Sequence, residues 1–299
     1  MLKNVLKSVG EYKKETILSP ITVALEVLLE VLIPYFMAIL LDKGINTGDM
    51  TEIIKYGMLL VVLAMAALAF GALSGHYAAV ASAGFAKNLR KRMFYKVQDF
   101  SFLNIDHFST SSLVTRMTTD ITNVQNAYQM IIRVAVRAPI MLIMAFFMAF
   151  KVNSELATIY LWVIPILGIA LAFIMTHVHP IFVRVFKTYD KLNNVVQENV
   201  HGIRVVKSFV REDFEEQKFK KISSSIYKDF TKAEKMIAFN APVMQICVYT
   251  CMILISWIGA NLIVGGTMTA GELTSMFTYT MQILMSLMML SMIFITKII

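Results

Sequence analysis

The chain has 299 residues, of which 57% are hydrophobic and only 16% are charged, whereas a typical soluble domain is about 25% charged. This composition excludes an ordinary water-soluble globular domain and indicates that lipid is the solvent for much of the chain. The formal net charge of +8 follows from where the basic residues lie relative to a membrane, so no nucleic-acid partner is expected.

Six apolar runs are long enough to cross a bilayer, which takes roughly 20 residues of helix. In chain order these runs cover about residues 17–41, 56–83, 134–150, 156–176, 241–264 and 273–296. We therefore predict an all-α, polytopic membrane domain over residues 1–299. An even number of spans places both chain termini on the same side of the membrane.

The basic residues predict which side that is. Of the 28 Lys and Arg, 24 lie before the first span, between Gly84 and Arg137 at the start of the third span, or between the fourth and fifth spans. Cytoplasmic loops carry the positive excess in membrane proteins. The sequence therefore predicts a multi-pass protein of the cell membrane with both termini in the cytoplasm.

The two inner connections, residues 84–133 and 177–240, are much longer than the outer ones. Gly and Pro are absent from residues 85–138, and Gly202 is the only one in residues 181–241, so helices are predicted to continue out of the membrane as two hairpins. Their tips are expected near residues 105–112 and 209–216. Apolar steps of three and four predict buried faces at Leu113, Met117, Ile121, Val124, Tyr128, Ile131 and Ala135, and at Phe182, Val185, Tyr189, Leu192, Val196, Asn199, Ile203 and Val206.

Large apolar residues stand among polar ones at both predicted tips. Phe108 lies at the first tip, and Phe209 and Phe214 lie at the second. Two interpretations are open: the rings pack the turn of each hairpin, or they dock into a soluble partner.

Motifs in both hairpins resemble those of a known family. The first hairpin contains IDHFSTSSLVTRMTTD, which is similar to F-D-x-x-x-T-G-x-L-x-x-R-L-x-x-D, with Ser111 in place of the Gly and Ile105 in place of the Phe. The second contains ENVHGIRVVKSFVRE, which matches E-x-x-x-G-I-x-x-V-K-x-F-x-x-E. These motifs resemble the transmembrane domain of ABC exporters of the six-helix, domain-swapped type, most closely one half of bacterial heterodimeric multidrug exporters.

The resemblance implies partners and a role for the tips. In such exporters the tips are coupling helices that dock on nucleotide-binding domains, and a second half-transporter completes a hetero- or homodimer. Carried over to this chain, the coupling residues are Asp106, His107, Phe108, Ser109, Thr110, Ser111, Phe209, Val210, Arg211, Glu212, Asp213 and Phe214.

The chain itself lacks the G-x-x-x-x-G-K-S/T phosphate loop. It is therefore not expected to hydrolyse ATP alone, and no catalytic residue, metal or cofactor is assigned to it. ATP and Mg are implied for a nucleotide-binding domain, which would lie on a longer form of this chain or on another polypeptide. The complete transporter would be an ATPase-coupled translocase.

Polar groups inside spans are candidates for the cargo pathway because they are costly in lipid. Glu26 and Glu30 are one helical turn apart and would attract a cation or a proton, or would pair with Arg or with neighbouring helices. Arg133 and Arg137, also one turn apart, would guide anionic groups or hold a carboxylate of another helix.

Methionine provides a flexible apolar surface for varied ligands. Met281, Met285, Met288 and Met292 follow steps of four, three and four in the sixth span, with Gln282 and Ser286 beside them. This pattern suits a cargo surface but equally suits ordinary packing or lipid contact. Further cargo candidates are Phe146, Gln245 and Tyr249.

The predicted function is the cargo-pathway half of an ATP-driven exporter of small amphiphilic or drug-like molecules. One alternative is a proton-coupled peptide transporter on the same scaffold, with Glu26 and Glu30 as proton carriers. Another is a gated channel or regulatory subunit.

Overall fold

The computed structural model describes residues 7–101 and 110–298, with the backbone alone for residues 110, 111, 292 and 294–298. The α-helices are α1 (Lys13–Leu40), α2 (Met50–Gln98), α3 (Thr110–Thr115), α4 (Ile121–Val152), α5 (Ser154–His201), α6 (Ile203–Ser208), α7 (Glu212–Ala238), α8 (Asn240–Val264) and α9 (Ala270–Ile298). A 3₁₀ segment, Lys7–Tyr12, precedes α1, and π-helical turns at Leu41–Ile45 and Arg116–Asp120 follow α1 and precede α4.

Within the described residues, six helical stretches are long and apolar enough to cross a membrane: Lys7–Ile45, Met50–Gln98, Ser112–Val152, Ser154–His201, Glu212–Val264 and Ala270–Ser291. The predicted all-α fold with six membrane-spanning helices is thus confirmed. Several helices extend well beyond bilayer thickness, since 49 residues of α2 correspond to about 70 Å at 1.5 Å per residue.

The chain forms two compact units: Met1–Ile159 with Met252–Leu290, and Tyr160–Cys251 with Ser291–Ile299. In the first unit, α1 packs along α2 and both contact α4. Close to the 3₁₀ segment, the rings of Phe85 and Tyr128 stack with centroids 4.5 Å apart. Val9, Ala78, Ala81 and Ile132 complete that cluster.

Local capping explains where helices begin. Asp49 Oδ1 accepts from the Thr51 amide at 2.9 Å at the start of α2, and Asn153 Oδ1 accepts from the Leu156 amide at 3.0 Å at the start of α5. At the start of α9, the Thr269 amide donates to Glu272 Oε2 at 3.0 Å, and the Glu272 amide donates to Thr269 Oγ1 at 3.1 Å. This reciprocal capping box satisfies donors that the first turn of a helix leaves unpaired.

The π-helical turn after α1 is tied to the start of α9 in the first unit. Asp42 accepts from the Thr269 hydroxyl at 2.6 Å and from the Gly271 amide at 3.0 Å. Deeper along the same helices, the Tyr279 hydroxyl donates to the Val31 carbonyl at 3.0 Å. These bonds fix the position of α9 along α1 and its rotation about its own axis.

In the second unit, the C-terminal half of α5 packs against α7. Its core contains Val178, Ile181, Phe182, Val185, Ile226 and Ala233. The second hairpin is therefore a pair of packed helices, with α6 and the turn after it at its tip.

The predicted apolar stripes need correction. In α4, Ile121 and Tyr128 are buried as predicted, but Val124 and Ile131 are exposed and Ile132 is buried instead. In α5, Phe182 and Val185 are buried, whereas Tyr189 and Val196 are exposed, as is Ile203 of α6. All of these departures except Ile203 lie within one continuous helix. Apolar steps of three and four therefore identify a stripe on each helix but do not decide which of its residues are buried.

Candidate cargo site and hairpin tip

Arg137 of α4 joins the two glutamates of α1. Its guanidinium donates to Glu26 Oε1 through Nη1 and to Glu30 Oε2 through Nη2, the latter at 2.6 Å. The side chains of Arg137, Glu26 and Glu30 are 26%, 13% and 36% exposed. Of the alternatives open from the sequence, the structure has the glutamates paired with an arginine and Arg137 holding carboxylates.

The helices are built to admit this cluster. Glu26 and Glu30 lie on one face of α1 because residues four apart are neighbours on a helix. Gly71 of α2 leaves room for Glu26. The Cβ of any other residue at position 71 would lie only 3.0 Å from Glu26 Oε1, closer than ordinary van der Waals contact. A planar guanidinium with several donors can serve two carboxylates at once, so the cluster is held with a formal charge of −1.

A cavity of about 180 Å³ opens beside this cluster in the first unit. Its wall is formed by Glu30, Arg137, Ala138, Met141, Thr278, Met281, Gln282, Met285, Ser286 and Met289. The cavity brings together three of the predicted cargo residues, Glu30, Met281 and Met285. Glu26 does not line the cavity, but it forms an ion pair with Arg137, which does.

The other cargo candidates do not line this cavity. Phe146 packs against Phe150, with ring centroids 4.9 Å apart, and Met288 is exposed on another face of α9. Gln245 and Tyr249 are exposed on α8 in the second unit. The side chain of Met292 lies outside the described residues.

Two of the four methionines singled out in α9, Met281 and Met285, line this cavity. Thr278, Gln282, Met285 and Met289 follow steps of four, three and four, the same spacing as the predicted methionine stripe but beginning three residues earlier. Because α9 carries methionine on several faces, methionine spacing alone does not choose among them. Gln282 and Ser286, which the sequence places beside the methionines, line the cavity together with Thr278. Polar residues in a span avoid lipid, so they are the better signal for this face.

The tip of the second hairpin presents large apolar groups to the outside of this unit. Phe209, Val210 and Phe214 are 73%, 81% and 60% exposed. Phe209–Arg211 form the turn between α6 and α7, and Glu212, Asp213 and Phe214 begin α7. The rings therefore contribute little to packing the turn itself.

Backbone hydrogen bonds hold the turn in one conformation. The Val210 amide donates to the Lys207 carbonyl at 3.3 Å, and the Arg211 amide donates to the Val206 carbonyl at 3.0 Å. Val210 has φ +52°. This is a Schellman helix end, in which the left-handed residue is usually glycine.

A cleft of about 640 Å³ lies beside the tip, between the end of α5 and the start of α7. Val196, Asn199, Ile203, Glu212 and Phe219 are among its lining residues. The Asn199 side-chain amide donates to Glu215 at 2.7 Å, and Lys218 pairs with Glu198 at 2.9 Å. These bonds tie α7 to α5 and stiffen the base of the tip.

The first predicted tip is only partly described. Asp106, His107, Phe108 and Ser109 lie outside the described residues, and Thr110 and Ser111 begin α3. Their coupling role stays a prediction.

Comparison with known proteins gives a consistent result. A family described as the ABC transporter transmembrane region matches residues 16–287. The chain is 31% identical over 258 residues to the uncharacterized ABC transporter ATP-binding protein YfiB of Bacillus subtilis, covering 86% of this chain and 45% of that protein. It is 30% identical over 267 residues to the uncharacterized ABC transporter ATP-binding protein Rv1273c of Mycobacterium tuberculosis, covering 87% and 45%.

A more distant similarity is to the ATP-dependent lipid A-core flippase of Pseudomonas savastanoi pv. phaseolicola, which is 25% identical over 221 residues, covering 74% of this chain and 36% of the flippase. The chain spans about half the length, or less, of these curated relatives.

Proposed function

The chain belongs to the ABC transporter transmembrane family, and from this premise we propose that it is the cargo-pathway half of an ATP-driven exporter. Nucleotide-binding domains that hold ATP and Mg would drive it, and a second half-transporter would complete the pathway. The assembled protein would lie in the cell membrane with both termini in the cytoplasm, as the distribution of Lys and Arg predicts.

The exposed apolar tip of the second hairpin carries this proposal. Phe209, Val210 and Phe214 stand at the end of a stiff pair of helices, and exposed aromatic clusters of this kind mark protein interaction sites. Docked on a nucleotide-binding domain, such a tip would transmit the movement of that domain along α5 and α7 into the membrane.

The cargo is proposed to be a small amphiphilic or drug-like molecule. A methionine-rich, partly polar cavity between α1, α4 and α9 suits varied apolar ligands. A lipid is the nearest variant, because a more distant relative is named a lipid A-core flippase.

The proton-coupled alternative has no comparable support. Relatives over most of the chain are named as ATP-binding proteins. Glu26 and Glu30, its proposed proton carriers, share the guanidinium of Arg137.

Truncation of the tip aromatics tests the proposal. Phe209→Ala and Phe214→Ala should each lower the number of cargo molecules transported per ATP hydrolysed, with little change in cargo affinity. Loss of an aromatic anchor costs a docked interface about 2 kcal/mol, or roughly thirtyfold in docking affinity. The ratio is measured for the full transporter in proteoliposomes.

Tyr227→Ala is the matched control, since Tyr227 is an equally exposed aromatic of α7 that lies away from the tip. Its coupling ratio should equal that of the wild type. Unchanged coupling in both phenylalanine variants would contradict the docking role.

A further inference from the structure

The cavity beside Glu30 contains acceptor atoms that lack donors. Glu30 Oε2 accepts from Arg137 at 2.6 Å, whereas Oε1 has no donor among the residues that the structure describes. Gln282 Oε1 is buried and also has no partner within that part of the chain. A buried acceptor without a donor is costly, so Gln282 Oε1 favours a ligand that donates hydrogen bonds. Glu30, which lines the same cavity, offers its second oxygen to that ligand.

The hydroxyl groups in the cavity wall add further acceptors. Thr278 donates its proton to the Thr274 carbonyl at 3.3 Å, and Ser286 donates its proton to the Gln282 carbonyl at 2.7 Å. With their protons committed to their own helix, both oxygens present lone pairs to the cavity.

The charge of the cluster selects the sign of the ligand. Glu26, Glu30 and Arg137 together carry −1, and the guanidinium already serves both carboxylates. An anion would approach two carboxylates without a free cation to meet it. A cation would instead neutralise the excess charge.

The remaining wall is apolar and adaptable. Met141, Met281, Met285 and Met289 face the same cavity, whose volume of about 180 Å³ corresponds to roughly six water molecules at their share of liquid volume. This space holds an ammonium group with the first carbons of an alkyl chain.

We propose that this cavity binds the ammonium group of an amphiphilic amine, with the charge at Glu30 and the alkyl portion against the methionines. The inference rests on the proposed function only in taking that amine to be the cargo. Binding itself requires no ATP and no coupling.

Equilibrium binding of two matched probes to the full transporter tests this proposal. One probe is a dansyl-labelled primary alkylamine, and the other is its uncharged N-acetyl derivative. In nanodiscs of phosphatidylglycerol without nucleotide, the wild type should bind the amine at least about tenfold more tightly, because a hydrogen bond to a charged group contributes that much.

Variants assign the preference to the cavity. Glu30→Gln should abolish the preference for the amine, and Gln282→Leu, which leaves the ion pairs intact, should reduce it severalfold. Met285→Ala should weaken both probes by a similar factor. Met65→Ala, at an exposed methionine of α2, is the control and should change neither affinity.

Equal wild-type affinity for the two probes would overturn the proposal, as would an unchanged preference in both Glu30→Gln and Gln282→Leu. Repeating the titration with phosphatidylethanolamine in the nanodisc identifies the source of the amine: weaker probe binding indicates a lipid headgroup, and unchanged binding indicates a soluble amine. If the amine-binding test fails, the proposal of ATP-driven export still stands for an uncharged cargo. If coupling is unchanged in the Phe209 and Phe214 variants, the exporter proposal is removed, but amine binding in this cavity is not affected.

Discussion

Val210 occupies a backbone conformation that suits glycine. Its φ of +52° lies in the left-handed region, which costs an L-residue roughly 1–2 kcal/mol, and a β-branched side chain is especially rare there. The side chain is 81% exposed, so packing within this unit does not repay that cost. Strain of this kind is found where function requires a particular residue.

Val210→Gly should therefore make the protein more stable against unfolding but impair the coupling of ATP hydrolysis to transport. Relief of the strain should raise the free energy of unfolding by about 1 kcal/mol, seen as a higher unfolding midpoint in detergent, while loss of an apolar tip group lowers transport per ATP hydrolysed. Val210→Ala separates the effects, because it trims the surface but retains a Cβ at positive φ. A lower midpoint for the glycine variant would contradict the assignment of strain.

At the scale of elements, the packing of α9 on α1 depends on a small residue where α1 ends and α9 begins. A Cβ at Gly271 would overlap the Ala38 carbonyl oxygen and would lie close to the Asp42 carboxylate. The same glycine donates its amide to Asp42. In lipid the hydrophobic effect does not drive helices together, because the lipid tails are as apolar as the side chains. Helices associate instead through close backbone packing at small residues.

Gly271→Ala should push α9 away from α1 and destabilise the protein by about 1–3 kcal/mol, the usual range for overpacking. The unfolding midpoint of the purified transporter measures this. Gly57→Ala in α2 is the control, because a Cβ there meets nothing within 4 Å and alanine favours a helix by up to about 1 kcal/mol. Equal midpoints for the two variants would show that the contact is not tight.

At the scale of the whole molecule, the distribution of charge predicts the orientation in the membrane. Of the 28 Lys and Arg, 24 belong to one predicted side, and the α5–α7 hairpin that carries many of them ends in the exposed tip. An exporter of the proposed type needs that tip in the cytoplasm, where ATP is available. Orientation and coupling are therefore linked.

Cysteine labelling checks this orientation. With Cys247 and Cys251 replaced by alanine, a membrane-impermeant maleimide should label Asn46→Cys on intact cells and should label Ser224→Cys only after permeabilisation. Both positions are exposed, so access depends on the side of the membrane. The opposite labelling pattern would reverse the predicted topology.

The sequence by itself determined the helical class and the six spans, because run length and the absence of Gly and Pro are local properties. It also placed Glu26 and Glu30 on one face of α1. Their partner was open until the structure brought Arg137 beside them.

Only the tertiary structure decided the rotation of α9, and with it that Met289 rather than Met288 lines the cavity. The physical reason is that lipid-facing and buried side chains are both apolar in a membrane helix, so hydropathy does not distinguish them. Rotation is set by long-range contacts, such as Tyr279 with Val31 and Gly271 with Asp42. The left-handed turn at Val210 was hidden for a related reason, since a valine gives no local signal for a conformation that suits glycine.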